Sequence, residues 1–214
     1  MKIKSVQAFA VDLSKVKKKS TTGYQRRGLQ PAGPMERYPA YKAQRSLAGP
    51  QWKQVVCVAE AEDGTTGLGM TAFSGGVLPI INEHLASQVV GQPVMATERH
   101  FDVMVRASSA YGSQGLTSYG ISAIDLALWD LKGKLLQRPV YELLGGPQKE
   151  RIFCYATGFD LEWYLELGFK AVKLPMPYGP EDGVEGLDKA EEMVAAAREK
   201  AGPGVELMLD CWMA

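Results

Sequence analysis

The stretch Gly120 to Gly146, GISAIDLALWDLKGKLLQRPVYELLGG, constrains this chain more than any other, because it sets a long helix, a helix stop and a turn in a fixed order. Ile121, Ile124, Leu128, Leu131 and Leu135 recur at three-and-four spacing, which predicts a helix with one buried face. Asp125 and Asp130 interrupt it and read as solvated side chains or as partners of nearby backbone. Pro139 ends the helix, and Gly145-Gly146 closes the short segment that follows.

Upstream, residues 2 to 13 alternate as an opening strand. Val55 to Ala61, Asp63-Gly64 and Gly67-Leu68-Gly69 read as a strand, a tight turn and a returning strand, so an antiparallel meander is expected. Helical segments follow near 77–88, 97–110 and 115–137, which makes an α+β unit. Between the first two strands lies Lys15 to Gln51, rich in Gly, Pro, Arg and Tyr; it is too long for an ordinary connection and is either disordered or functional. After Gly146, apolar strands at Ile152 to Thr157, Ala171 to Leu174 and Val205 to Leu209 alternate with helical stretches at 160–168 and 185–201, the grammar of a parallel sheet. The expected division is therefore 1–146 for the α+β domain and 147–214 for the parallel part.

Charge narrows the function classes. With 24 acidic and 24 basic residues, nothing favours nucleic acid or an anionic membrane surface. The one basic cluster, Lys15, Lys17, Lys18 and Lys19, reads as a solvated loop. No apolar run approaches the ~20 residues that span a bilayer, and Met1 leads directly into a strand, so a cytoplasmic location is expected. Cys57, Cys154 and Cys211 are odd in number and sit in apolar segments; they read as reduced core residues rather than a disulfide or zinc framework.

In parallel α/β sheets reactive groups collect where strands end, and two charged residues stand there. Asp210 closes the apolar run Val205 to Leu209 as either a hydrogen-bonded turn residue or a metal ligand. Lys173 shares a strand face with Pro175, while Lys170 lies on the other; Lys173 is either a fixed positive charge facing a substrate or a snorkelling rim lysine. His84 and His100 fall in the helical region and read as ordinary surface or core histidines.

Ala123-Ile124-Asp125, Ala127-Leu128-Trp129-Asp130, Gly133-Lys134, Pro139-Val140 and Leu143-Leu144-Gly145-Gly146 together resemble the signature of the mandelate racemase group of the enolase superfamily. The resemblance implies an enolase-like fold, an α+β capping domain followed by a modified TIM-type (β/α) barrel, of which this chain would carry about the first three strands and then stop. It implies Mg2+ as cofactor, with Asp210 as the first of three acidic metal ligands and Lys173 as a catalytic residue. Many members carry Lys-x-Lys on the second barrel strand, where this chain has Lys173-Leu174-Pro175. Proline cannot transfer a proton.

Lys173 to Gly183 and Met208 to Met213 are similar to one branch, the rhamnonate dehydratase-like acid-sugar dehydratases, in which a late His-Asp pair acts as acid/base. The loop from Pro34 to Ser46 resembles the same branch. There Arg45 would bind the substrate carboxylate, and Tyr38 and Tyr41 the hydroxyls. Gln25 to Gln30 holds Arg26 and Arg27 where such enzymes place a histidine. The implied reaction is proton abstraction next to a carboxylate, then loss of water to a 2-keto-3-deoxy acid, a carbon-oxygen lyase reaction. The implied partners are a small-molecule sugar acid and, at full length, a homo-oligomer. The alternatives are a racemase or epimerase on the same scaffold, against which Pro175 argues, and a catalytically incomplete, non-enzymatic fragment.

Overall fold

The computed structural model describes residues 1–12, 32–41 and 52–212. These group into two compact units, one of residues 1–12 and 52–150, the other of 32–41 and 151–212.

The first unit opens on an antiparallel sheet of β1 (Ile3–Val11), β2 (Gln54–Ala61) and β3 (Thr66–Thr71), in that order across the sheet. This is the expected meander. Strict alternation in β2 turns Val55, Cys57, Ala59 and Ala61 into the core. In β1 the buried residues are Ile3, Val6 and Ala8, a spacing that breaks alternation until a register shift between Ile3 and Ser5 restores it. The helical part comprises α1 (Ser74–Pro79), a π-helical turn at Ile80–Leu85, α2 (Ala86–Val89), α3 (Thr97–Ala107), α4 (Leu116–Leu136) and the short α5 (Val140–Leu143). As the spacing predicts, α4 buries Ile121, Ile124, Leu128 and Leu131, each removing roughly 1.5–3 kcal/mol of apolar surface from water. It ends at Gln137, in a left-handed conformation (φ 52°), two residues before Pro139.

The contact between α4 and the sheet depends on missing side chains. Gly67 and Gly69 face the helix, while Leu68 and Met70 point outward and are more than half exposed. A Cβ on Gly69 would lie 2.0 Å from the Ala123 carbonyl oxygen, and one on Gly67 2.1 Å from that of Ala127. Glycine on the strand and alanine on the helix let the two backbones touch.

Side chains close both edges of this sheet. On β1, the Asn82 carboxamide accepts from Ala8 N–H (2.8 Å) and donates to Ala8 C=O (3.0 Å), as a neighbouring strand would. On β3, Asp130 accepts from Leu68 N–H (2.8 Å) and Lys134 donates to Thr66 C=O (2.9 Å). The expected backbone role of Asp130 is thus realised on a strand far away in sequence.

The second unit contains β4 (Ala156–Thr157), α6 (Leu161–Glu166), β5 (Ala171–Pro175), α7 (Gly183–Ala201) and β6 (Glu206–Asp210), with the strands parallel in the order β4-β5-β6. The strand expected over Ile152 to Thr157 is only its last two residues. β5 begins at Ala171, just after a turn at Gly168 (φ 83°), so residues before Ala156 have no ladder to join, and Ile152 and Phe153 are 78% and 65% exposed. Leu161, Tyr164, Val172, Leu174, Ala197 and Val205 form the core of this unit. Residues 32–41 add two 3-10 turns, Pro34–Arg37 and Pro39–Tyr41, and Ala32 N–H donates to Met176 C=O (2.8 Å).

Only one of the three cysteines is a core residue. Cys57 is buried, which pushes its thiol up to about 12, whereas Cys154 and Cys211 are exposed; all three are free. An apolar local sequence misled here because the segments around both exposed cysteines are loops, with no layer packed over them. No helix among the described residues is long and apolar enough to cross a membrane.

Candidate active site at the strand ends of the parallel sheet

Pleating decides which residues of the second unit can do chemistry. In β5, Val172 and Leu174 pack into the helix-covered core, which leaves Lys173 and Pro175 on the opposite face. The parallel register sets Lys173 beside Met208 and Pro175 beside Asp210. Two residues that the sequence separates by a whole helix therefore meet at the carboxyl ends of neighbouring strands. Lys173 Nζ stands 3.1 Å from Asp210 Oδ2, with the two side chains 26% and 34% exposed.

Both charges are supported. The Trp212 backbone N–H donates to Asp210 Oδ1 at 2.9 Å, and this bond, followed by Lys173, holds the carboxyl below its ordinary range. Trp212 itself adopts a left-handed conformation (φ 47°). Asp210 in turn raises the Lys173 ammonium above its ordinary value, with a smaller contribution from Tyr155. The turn role expected of Asp210 is realised through one oxygen, while the other faces the lysine.

Tyr155 was not singled out by sequence reasoning. Its ring lies beneath the ammonium, with Lys173 Nζ 5.4 Å from the ring centroid. The signal was available in the pleat, since Thr157 registers with Lys173 and Tyr155 is two residues earlier on the same face.

Tyr38 and Tyr41 stand in the 3-10 turns at 34–41, with Tyr38 exposed and its carbonyl accepting from Tyr41 N–H (2.9 Å). Among the described residues, neither phenol is hydrogen-bonded to Lys173 or Asp210. Arg45 lies outside the described residues, as do the Lys15–Lys19 cluster, Arg26 and Arg27. In the first unit, His84 Nδ1 is 2.7 Å from the Tyr111 hydroxyl, and the buried His100 places Nε2 2.7 Å from Pro93 C=O. Both are accounted for by local structure.

Asp210 offers a hard carboxylate oxygen, the donor type that suits Mg2+. The described residues contain no group of three or more His, Cys, Asp or Glu side chains able to hold a metal ion. The donor chemistry fits, but the set is incomplete within these residues.

An antiparallel meander backed by helices, joined to parallel β/α units with charged groups at their strand ends, defines an enolase-type capping domain followed by α/β structure. The chain belongs to the mandelate racemase / muconate lactonizing enzyme family, whose N-terminal domain matches residues 34–145. Among its relatives is the L-rhamnonate dehydratase of Saccharopolyspora erythraea, 45% identical over 184 residues, or 86% of this chain and 47% of that protein. Crystal structures of the L-rhamnonate dehydratase from Gibberella zeae superpose over 100% of this chain, at 31% identity and TM-score 0.84 over 52% of that chain. The form complexed with Mg gives 32% identity and TM-score 0.86 over 53%. The chain spans about half the length of these relatives.

Proposed function

We propose that this chain provides the capping domain and first barrel strands of a magnesium-dependent sugar-acid dehydratase acting on L-rhamnonate or a close analogue. The observation that carries this reading is the Lys173–Asp210 pair, set 3.1 Å apart at adjacent parallel strand ends in a chain 45% identical to an L-rhamnonate dehydratase. In this reading the chain divides as 1–146, a capping domain, and 147–214, the opening of a (β/α) barrel.

Asp210 is a metal ligand in this scheme, and a bound Mg2+ would draw charge from the substrate carboxylate and so acidify the neighbouring C–H. Lys173 carries the ammonium charge ordinary for lysine near neutral pH and offers a fixed positive charge to the negative charge that develops on the carboxylate oxygens as that proton leaves. It does not serve as the base. Pro175, where a second lysine would stand, cannot take the proton either, so the base and the remaining metal ligands come from outside the described residues. The same proline argues against a racemase, which needs an acid/base on both faces of the substrate. Tyr38, Tyr41 and Arg45 would bind substrate hydroxyls and carboxylate in this scheme.

The test is a screen for 2-keto acid formation from a sugar-acid library, with and without Mg2+, using the chain alone and the chain continued through any downstream reading frame. The expected result is Mg2+-dependent consumption of L-rhamnonate by the continued protein only. Turnover by the 214-residue chain would overturn the assignment of the base and ligands to other residues, and silence from both would remove the dehydratase reading.

A further inference from the structure

The Asp210 carboxylate cannot be the only group that positions Lys173 if the same carboxylate is to serve a metal. A second contact to the ammonium is present in the Tyr155 ring. Three neighbouring strands each direct one group to the face opposite the helices: Tyr155 just before β4, Lys173 in β5 and Asp210 at the end of β6. Lys173 Nζ is 3.1 Å from the Asp210 carboxylate and stands over the Tyr155 ring, 5.4 Å from its centroid. The face of an aromatic ring attracts an ammonium through its quadrupole and needs no hydrogen-bond acceptor, so this contact survives when the carboxylate is engaged elsewhere.

We propose that Tyr155 is a positioning residue for Lys173, its ring face holding the ammonium over the strand ends independently of Asp210. The role assigned to Lys173 rests on the proposed function; the positioning does not. Tyr155 is itself 48% exposed, so replacing it removes little core packing.

The experiment compares parent, Y155F, Y155L and Y155M proteins, each also in a D210N background. The reactivity of Lys173 toward a water-soluble acetylating ester is read by peptide mass spectrometry, with Lys170 on the other strand face as internal reference. Y155F keeps the ring and is expected to match the parent; Y155L is expected to raise the Lys173-to-Lys170 ratio by about threefold, and by more with D210N, where the ring is the remaining partner. Y155M keeps bulk without an aromatic face and carries the comparison if Y155L does not fold. An unchanged ratio in the leucine and methionine variants overturns the proposal, as does an equal rise in Y155F, which would assign the effect to the hydroxyl. Sugar-acid dehydration by the full protein is the second readout, with kcat falling in Y155L and retained in Y155F at similar KM. A shifted labelling ratio with no sugar-acid turnover by the continued protein would sustain the positioning role and refute the dehydratase reading.

Discussion

The antiparallel sheet of the first unit has both edges occupied by side chains, with Asn82 on β1 and Asp130 and Lys134 on β3, and one face sealed against α4. In the second unit it is the layer between sheet and helix that is loosely filled. Leu209 in β6 is 43% exposed, Val184 and Leu187 on α7 are 73% and 70% exposed, and a cavity of about 620 Å³ lies between helix and sheet, lined by Leu174, Met176, Val194, Leu207 and Leu209. Among the described residues, the first unit has the larger buried core and the second the smaller one, with its charged pair at the strand ends.

The largest way to break this contrast is Gly69→Ala. Its Cβ would meet the Ala123 carbonyl at 2.0 Å, a backbone contact that cannot swing aside, so α4 must lift from the sheet. The expected loss is about 3 kcal/mol or more, read by urea unfolding; hydrogen exchange should show lost protection in β2 and α4, with β5 unchanged. A parent-like midpoint would show that the two backbones are not in close contact.

The next effect tests the side chains that close the edges. Asn82→Ala and Asp130→Ala each leave strand groups to be satisfied by water, and each is expected to cost about 1 kcal/mol and to speed exchange at Ala8 or Leu68 respectively. Equal exchange in parent and variant would mean that solvent already reaches the edge.

The smallest effect is at Asp125. Burial, and then the charge of Glu98, push its carboxyl above the ordinary range. Its folded pKa thus exceeds the unfolded value, so the folded state holds the proton longer and stability declines as pH rises from the unfolded pKa through the raised folded one. Asp125→Asn is expected to recover a few tenths of a kcal/mol at pH 7, given partial solvent screening, and nothing near pH 3. Thermal melts at both pH values check it, and a loss at pH 7 would reveal a partner that Asp125 supports.

Much of the first unit was legible in the sequence because its signals are local. The spacing of Ile121, Ile124, Leu128 and Leu131 requires a buried helix face, Pro139 requires a stop, and Asp63-Gly64 requires a tight turn. What misled was also local. Among the described residues, Ile152 and Phe153 look like strand residues but have no ladder partner, and Cys154 and Cys211 look like core residues but are exposed. Hydrophobicity shows what a residue would gain by burial, not whether a neighbour exists to bury it.

The candidate site divides along the same line. Asp210 and Lys173 could be picked out from sequence as strand-end charges because pleating and strand ends follow from short-range pattern, whereas the roles proposed for them came only from the family resemblance. The Trp212 N–H on the other carboxylate oxygen is the local turn bond that the sequence already offered. The 3.1 Å approach of the two charges and the Tyr155 ring below the ammonium could not be picked out, since both depend on how strands distant in sequence register. The same holds for Gly67 and Gly69, whose meaning as a helix–sheet contact appears only once α4 is in place. Periodicity and stop signals, written in neighbouring residues, determined the elements of this protein and their faces. The meeting of charges, edges and backbones was decided by tertiary structure, because those energies depend on distances that a linear chain does not specify until it is packed.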